Sequence, residues 1–183
     1  MMHSMYGEDN NKRILVAGIG NIFLGDDAFG CEVVKRLQQR SWPDNVRIVD
    51  FGIRGFDLAY ALLEGYNVTI FVDATQRGQA PGTVYTIEPD IDEVASVTEQ
   101  TVQVETHDMN PMKVLSMVAA MGGRFEKVLL VGCEPETFGP EEGQLGLSAT
   151  VAGVVDKAAN VVESLIEEAC ARAPVTATFE HGG

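Results

Sequence analysis

The chain has 183 residues, a formal net charge of −14 and 45% hydrophobic residues. That length favours a single domain, and the composition is ordinary for a globular protein with a packed core. So acidic a chain repels phosphate backbones, which argues against nucleic acid as a partner. No apolar run approaches the roughly 18 residues that a membrane-spanning helix needs.

The chain is predicted to form one folded unit between two polar ends. We expect a flexible N-terminus at 1–12, a single domain at 13–171 and a flexible C-terminal tail at 172–183. The N-terminus lacks the apolar core of a signal peptide. The three cysteines form no CxxC pair, which is typical of reduced thiols. These features predict a cytoplasmic protein without a membrane partner.

Apolar runs alternate with amphipathic segments through the first half of the chain. The predicted elements are a strand at 13–18, a helix at 27–41, a strand at 46–51, a helix at 56–64 and a strand at 68–72. Asp73 is predicted to end the third strand. The first strand is an apolar run from Ile14 to Ala17, as expected of a strand that is buried on both faces of a parallel sheet.

The second half continues the alternation. The predicted elements are an edge strand at 83–87, a loop at 89–106, a helix from Asn110 to about Gly122, a strand at 127–132 and a final helix from Ser148 to about Ala171. Asn110 is expected to cap its helix, and Pro111 suits the first helical position. Strands that alternate with helices predict an α/β layered fold with a mostly parallel sheet.

The glycine-rich stretch after the first strand contains two adjacent carboxylates, Asp26 and Asp27. An aspartate at the start of a helix is most simply a cap, favoured by the positive end of the helix dipole. Only one of the two can cap the same helix. We therefore assign the capping role to Asp26 and leave Asp27 available for another role.

In parallel sheets, ligand-binding and catalytic residues usually lie at the edge formed by the carboxyl ends of the strands. That rule selects a set of residues directly after the predicted strands: Asn21, Asp26, Asp27, Asp50, Gly52, Arg54, Asp73, Thr75, Cys133 and Glu134. Three chemistries are compatible with these residue types.

A dinucleotide site is suggested by Gly18 and Gly20, which match the first two glycines of GxGxxG. The third glycine position holds the bulky Phe23, and Asp26 and Asp27 would face a pyrophosphate with like charge. We therefore expect no nucleotide cofactor. Covalent catalysis by Cys133 with His107 stays open, although no GxSxG motif is present and nothing in the spacing supports it.

A metal site is the third chemistry. Asp27, Asp73 and His107 would form a sparse set of three ligands with open positions, suited to a borderline divalent cation. Each residue also has a simpler explanation: a helix cap, a turn residue at a strand end and an exposed loop histidine. Spacing alone does not choose between these interpretations.

Several stretches together resemble the hydrogenase maturation endopeptidases, which process the large subunit of [NiFe] hydrogenases. They are GIGNIFLGDDAFG at 18–30, DFGIRGFDL at 50–58, FVDAT at 71–75, THDMNPMKVL at 106–115, LLVGCEPE at 129–136 and GLSATV at 146–151. They follow the family's order and spacing over roughly residues 13–170.

The resemblance implies a three-layer α/β sandwich, with a twisted, mostly parallel five-stranded sheet and helices on both faces. It also implies that Asp27, Asp73 and His107 are the metal-contacting and catalytic residues. The first of these is often glutamate in the family and is aspartate here. The family's substrate-reading turn corresponds to Asp50–Gly55, in which Phe51 and Arg54 depart from the commonest form. The predicted substrate-binding residues are Asn21, Gly52, Arg54 and Gly55.

The implied reaction is one cut near the C-terminus of the large-subunit precursor after nickel insertion. Nickel carried by the precursor would complete its contacts with the three predicted ligands and act as a recognition element. It could also polarise the scissile carbonyl, while a carboxylate activates water. Two alternatives are a nickel-dependent chaperone or binding module for the large subunit that does not cut it, and a nucleotide-binding protein.

Overall fold

A computed structural model describes residues 12–92 and 110–171 of the chain. Its centre is a sheet of five strands: β1 (Ile14–Ile19), β2 (Val46–Gly52), β3 (Val68–Ala74), β4 (Val84–Ile87) and β5 (Lys127–Cys133). Their order in the sheet is β2-β1-β3-β5-β4. The four strands β2, β1, β3 and β5 run parallel, and β4 pairs antiparallel with β5 at one edge. The predicted α/β fold with a mostly parallel sheet is confirmed.

The helices are α1 (Phe29–Leu37), α2 (Gly55–Leu63), α3 (Pro111–Ala120), α4 (Ala149–Ala152) and α5 (Val155–Ala171), and a 3-10 turn at Gly25–Ala28 precedes α1. The predicted cap of α3 is confirmed, because the Asn110 side chain accepts a hydrogen bond from the Met112 amide.

Alternate residues of the central strands point to two separate cores. One face of β1 carries Ile14 and Val16 against α1 and α5, and the other carries Leu15 and Ala17 against α2 and α3. This alternation follows from the two-residue period of a strand. Helices therefore cover both faces, as the resemblance implied.

Two helix predictions are wrong in their boundaries. The first helix does not run from 27 to 41: a 3-10 turn occupies Gly25–Ala28, and α1 ends at Leu37. The final helix is not continuous from Ser148. It is interrupted after Ala152, although the Ser148 hydroxyl does accept the capping bond from the Val151 amide. Asp73 lies within β3, which extends through Ala74.

The connections place a topological switch point at β1. The chain leaves β1 for β2 on one side and returns to β3 on the other. A crevice opens outside the carboxyl ends of the strands where the connections diverge in this way, and it is the usual ligand site of open α/β sheets. Within residues 12–92 and 110–171, no helix is both long and apolar enough to span a bilayer.

Candidate active site

The turn after β1 is built around glycines that admit close backbone contacts. Gly20 has a φ of +134°, and a Cβ there would lie 1.8 Å from the Asp27 carbonyl oxygen. A Cβ on Gly30 would lie 2.1 Å from the Val72 carbonyl oxygen and 2.3 Å from that of Ile19. The start of α1 therefore rests directly on the ends of β1 and β3, which fixes the 3-10 turn at the switch point.

Asp27 lies in this turn, half-buried at the carboxyl edge. Its Oδ2 accepts a hydrogen bond of 2.6 Å from the Asn21 backbone amide. Asn21 in turn accepts, through Oδ1, a bond of 3.0 Å from the Phe23 amide. This local network orients the Asp27 carboxylate and shapes the turn between Gly20 and Phe23.

Asp26 does not cap α1, so the role assigned to it from the sequence is wrong. Its side chain is fully buried, and no side chain caps either the 3-10 turn or α1. Its Oδ2 accepts bonds from the amides of Glu136 (2.8 Å) and Thr137 (3.0 Å) and from the Ser148 hydroxyl (3.0 Å). Its Oδ1 accepts a 2.7 Å bond from the Ser148 amide. Asp26 instead joins the 3-10 turn to the loop between β5 and α4.

Asp73 lies at the carboxyl end of β3, and its residue is 8% exposed. It pairs in register with Gly132 of β5, one residue beyond Val72. Since β1 and β3 are neighbours, Asp73 and the turn that carries Asp27 lie at the same edge of the sheet. The prediction that these two carboxylates belong to one region of the molecule agrees with this placement.

His107 lies outside the described residues, so its proximity to Asp27 and Asp73 stays a prediction. Within the described residues, no group of three or more His, Cys, Asp and Glu side chains is arranged to hold a metal ion.

The loop after β3 is held by Glu134, a buried residue of the next strand end. Its carboxylate accepts bonds from the amides of Arg77 (2.8 Å) and Gly78 (3.2 Å). The Tyr85 hydroxyl donates a 3.0 Å bond to the Thr75 carbonyl, and the Arg77 guanidinium lies 5.1 Å from the centre of the Tyr85 ring. These contacts fix the backbone that follows Asp73. Glu134 was a candidate because it follows a strand. Its structural role depends on two backbone amides that lie 57 and 56 residues earlier in the chain.

A cleft of about 310 Å³ separates the turn after β1 from the turn after β2. Three of the four predicted substrate-binding residues, Asn21, Gly52 and Arg54, line it; Gly55 does not and begins α2. The Gly20 amide donates a 3.1 Å bond to the Gly52 carbonyl, which joins the two turns. The cleft thus includes most of the predicted substrate turn.

Arg54 organises the wall of this cleft. Its guanidinium donates to the backbone carbonyls of Asp50 and Phe51 and lies 3.4 Å from the Asp57 carboxylate. These bonds hold the turn after β2, and they also reduce the positive charge that Arg54 could offer a ligand.

Three apolar side chains of the cleft, Ile22, Phe23 and Ile53, were missed as candidates. Their signal in the sequence was the presence of large apolar residues in glycine-containing turns, where polar residues are usual.

The cysteines near the site are poor nucleophiles. Burial, a hydrogen bond to Asp50 and the nearby Asp50 charge raise the pKa of Cys31 far above its ordinary value. Burial, with the charges of Asp26 and Glu134, raises the pKa of Cys133 to about 11. Since the thiolate is the reactive form, these shifts argue against covalent catalysis by Cys133.

Comparison with known proteins gives a consistent result. Residues 31–165 match the family model HycI, described as hydrogenase maturation protease. The hydrogenase 2 maturation protease of Escherichia coli K12 is 32% identical over 157 residues, which cover 85% of this chain and 92% of that protein. The hydrogenase expression/formation protein HupD of Rhizobium leguminosarum bv. viciae is 35% identical over 147 residues, covering 80% of this chain and 70% of that protein.

A solved structure agrees. The hydrogenase maturating endopeptidase HybD from E. coli superposes with a TM-score of 0.68 at 30% identity, over 85% of this chain and 93% of that one. The chain therefore belongs to the hydrogenase maturation protease family, whose members are hydrolases that act as endopeptidases.

Proposed function

We propose that this protein removes the C-terminal peptide from the precursor of a [NiFe] hydrogenase large subunit after nickel has been inserted. The proposal rests on family membership together with one observation: Asp27 and Asp73 lie at the switch-point edge of the sheet. Nickel in the precursor is the recognition element. It arrives with its own protein ligands and completes its contacts with Asp27, Asp73 and His107.

The reaction is hydrolysis of one peptide bond. The water oxygen bonds to the carbonyl carbon, the carbon–nitrogen bond breaks and a proton reaches the leaving amine. The carboxylates at the carboxyl edge are suited to accept a proton from the attacking water. The raised pKa values of Cys31 and Cys133 favour this water-mediated route over a thiol nucleophile.

The reaction is proposed to take place in the cytoplasm. All three cysteines lie in the described part of the chain, and no disulfide joins them, which is usual in a reducing compartment. The net charge of −14 leaves the folded precursor, rather than a nucleic acid or an anionic membrane surface, as the partner.

The test is to incubate the full chain with nickel-loaded precursor and, separately, with nickel-free precursor, and to follow the intact masses. We expect loss of a C-terminal peptide from the nickel-loaded form alone. An unchanged mass in both mixtures would refute the proposed function. Equal cutting of both would refute nickel as the recognition element while leaving the peptidase activity in place. Binding without any cut would favour the non-catalytic chaperone.

Site variants test the residue assignments. Asp27→Asn keeps an oxygen that can accept the bond from the Asn21 amide but removes the charge. We expect it to abolish cutting while leaving the free energy of unfolding within about 1 kcal/mol of the wild type. His107→Ala is expected to abolish cutting as well. The matched control is Asp44→Asn, because Asp44 is exposed and precedes β2, at the opposite edge of the sheet. Normal cutting by both site variants would show that these assignments are wrong.

A further inference from the structure

The exposed large apolar side chains of the described residues are concentrated around the cleft. Seven such residues are 42% to 73% exposed, and five of them belong to the cleft or the helix that continues its wall. We call these five the apolar rim: Ile22, Phe23, Ile53, Phe56 and Tyr60. Large apolar patches on a soluble domain mark interaction surfaces more often than isolated apolar residues do.

The rim residues lie in two turns and one helix. Ile22 and Phe23 line one side of the cleft, and Ile53 lines the other. Phe56 and Tyr60 follow on α2 with a spacing of four residues, so both project from one face of that helix. The two aromatic residues are 72% and 64% exposed, and Phe56 follows the cleft residue Ile53 by three positions in the chain.

The rim is held in place by backbone bonds. The Gly20 amide binds the Gly52 carbonyl, which fixes the distance between the two turns, and the Gln144 amide donates a 2.8 Å bond to the Phe23 carbonyl. The Arg54 guanidinium fixes the turn that carries Ile53. A preformed apolar surface loses little conformational freedom on binding, so more of its contact energy appears as affinity.

The net charge of the protein distinguishes among the partners that could bind the apolar rim. The rim itself is uncharged, and the neighbouring Arg54 and Asp57 form an ion pair. A second copy of the chain would bring another net charge of −14, and an anionic membrane surface would also bring like charge. A polypeptide segment with large apolar side chains and no excess of acidic residues avoids this repulsion between like charges.

We propose that the apolar rim is the docking surface for an apolar, non-acidic segment of the large-subunit precursor. This inference rests on the proposed function and adds to it a surface that provides affinity without taking part in the chemistry. Ile22 and Phe23 lie just before the 3-10 turn that carries Asp27, so a segment docked on the rim reaches the carboxyl edge of the sheet, where we propose the cut.

The test compares Phe56→Ala/Tyr60→Ala with Met121→Ala. Met121 is 52% exposed, lies at the end of α3 and is not part of the rim. With nickel-loaded precursor, we expect the rim variant to raise KM at least 10-fold with kcat within 2-fold of the wild type, since truncated aromatic anchors are common hot spots. The free energy of unfolding should be unchanged in both variants. Met121→Ala should leave KM unchanged.

Each other outcome overturns the docking proposal. An unchanged KM in the rim variant, with wild-type cutting intact, refutes the docking surface and leaves the proposed function standing. A wild type that cuts no precursor refutes both. Sedimentation of the free protein and binding to phosphatidylglycerol vesicles test the other occupants. A dimer or a vesicle complex that the rim variant abolishes, with KM unchanged, assigns the rim to that partner instead.

Discussion

Removing the Asp26 carboxylate should destabilise the protein more than removing any other carboxylate that the structure describes in detail. Its two oxygens accept four hydrogen bonds, from three backbone amides and one hydroxyl, and its side chain is fully buried. All four donors lie 110 to 122 residues further along the chain. In the Asp26→Ala variant these donors lose their partner, and a cavity replaces the carboxylate.

Each buried donor left without a partner costs about 1–3 kcal/mol, although water that enters the cavity recovers part of that loss. Because the four bonds are not additive, we expect Asp26→Ala to lose about 3–5 kcal/mol of unfolding free energy. Asp26→Asn retains one oxygen but turns an NH2 group toward a donor, so its loss should be smaller, about 1–3 kcal/mol. Ser148→Ala removes one of the four bonds and the cap of α4, for a loss of about 1–2 kcal/mol.

Urea denaturation followed by circular dichroism and by fluorescence of the single tryptophan, Trp42, measures these losses. Hydrogen exchange gives a local readout, because the amides of Glu136, Thr137 and Ser148 should lose protection in Asp26→Ala. The double variant with Ser148→Ala should be less destabilised than the sum of the two single variants. A loss below 1 kcal/mol for Asp26→Ala would refute the reasoning, since the four bonds would then contribute little beyond what water provides.

The remaining predictions concern packing and alkaline stability. Gly30→Ala should cost at least about 3 kcal/mol, because its Cβ would meet backbone atoms 2.1 Å and 2.3 Å away. Gly153→Ala, where the nearest atom would be 3.4 Å away, should be neutral or stabilising in the same urea experiment. Equal losses in the two variants would contradict the close approach of α1 to the sheet. Burial, with the charges of Asp26 and Glu134, raises the pKa of Cys133 from 9.0 to about 11. Between these pKa values the native state keeps the thiol proton that the unfolded state loses. The contribution of Cys133 to the unfolding free energy is therefore present below pH 9 and is lost as the pH rises toward 11. Between pH 9 and 11 the unfolding free energy of the wild type should fall by up to about 1.4 kcal/mol per pH unit more than that of Cys133→Ala. If the two proteins lose unfolding free energy in parallel as the pH rises, the raised pKa of Cys133 is contradicted.

Strand positions could be predicted closely from the sequence, because the central strands β1, β3 and β5 form mainly apolar runs. The five predicted strands agree with the observed ones to within one or two residues at each end. The cap of α3 was also predictable, since Asn110 and its amide partner are two residues apart. In each case the physical cause is local in the chain.

The predictions are wrong where the residues that determine the structure lie far apart in the chain. Asp26 has the appearance of a helix cap, but its partners lie in the loop before α4, and no local pattern indicates them. Similarly, Phe23 occupies the third position of the incomplete GxGxxG motif, whereas the close contact between helix and sheet is made by Gly30. The apolar rim was missed because alternation distinguishes buried from exposed faces only within regular elements, and Ile22, Phe23 and Ile53 lie in turns.

The two adjacent aspartates are coupled through the backbone they share. Asp26 fixes the 3-10 turn to the loop before α4, while Asp27 binds the Asn21 amide on the side of the cleft. The same loop is also joined to the turn through Gln144. Its backbone amide donates to the Phe23 carbonyl, and its carbonyl accepts from the Gly25 amide. Asp26 therefore helps to set the position of Asp27, the carboxylate that we propose as a site residue, and of the Phe23 side chain beside it. This arrangement gives a physical reason for two acids in succession: the first supplies acceptors for a buried set of donors, and the second lies half-buried at the edge of the sheet.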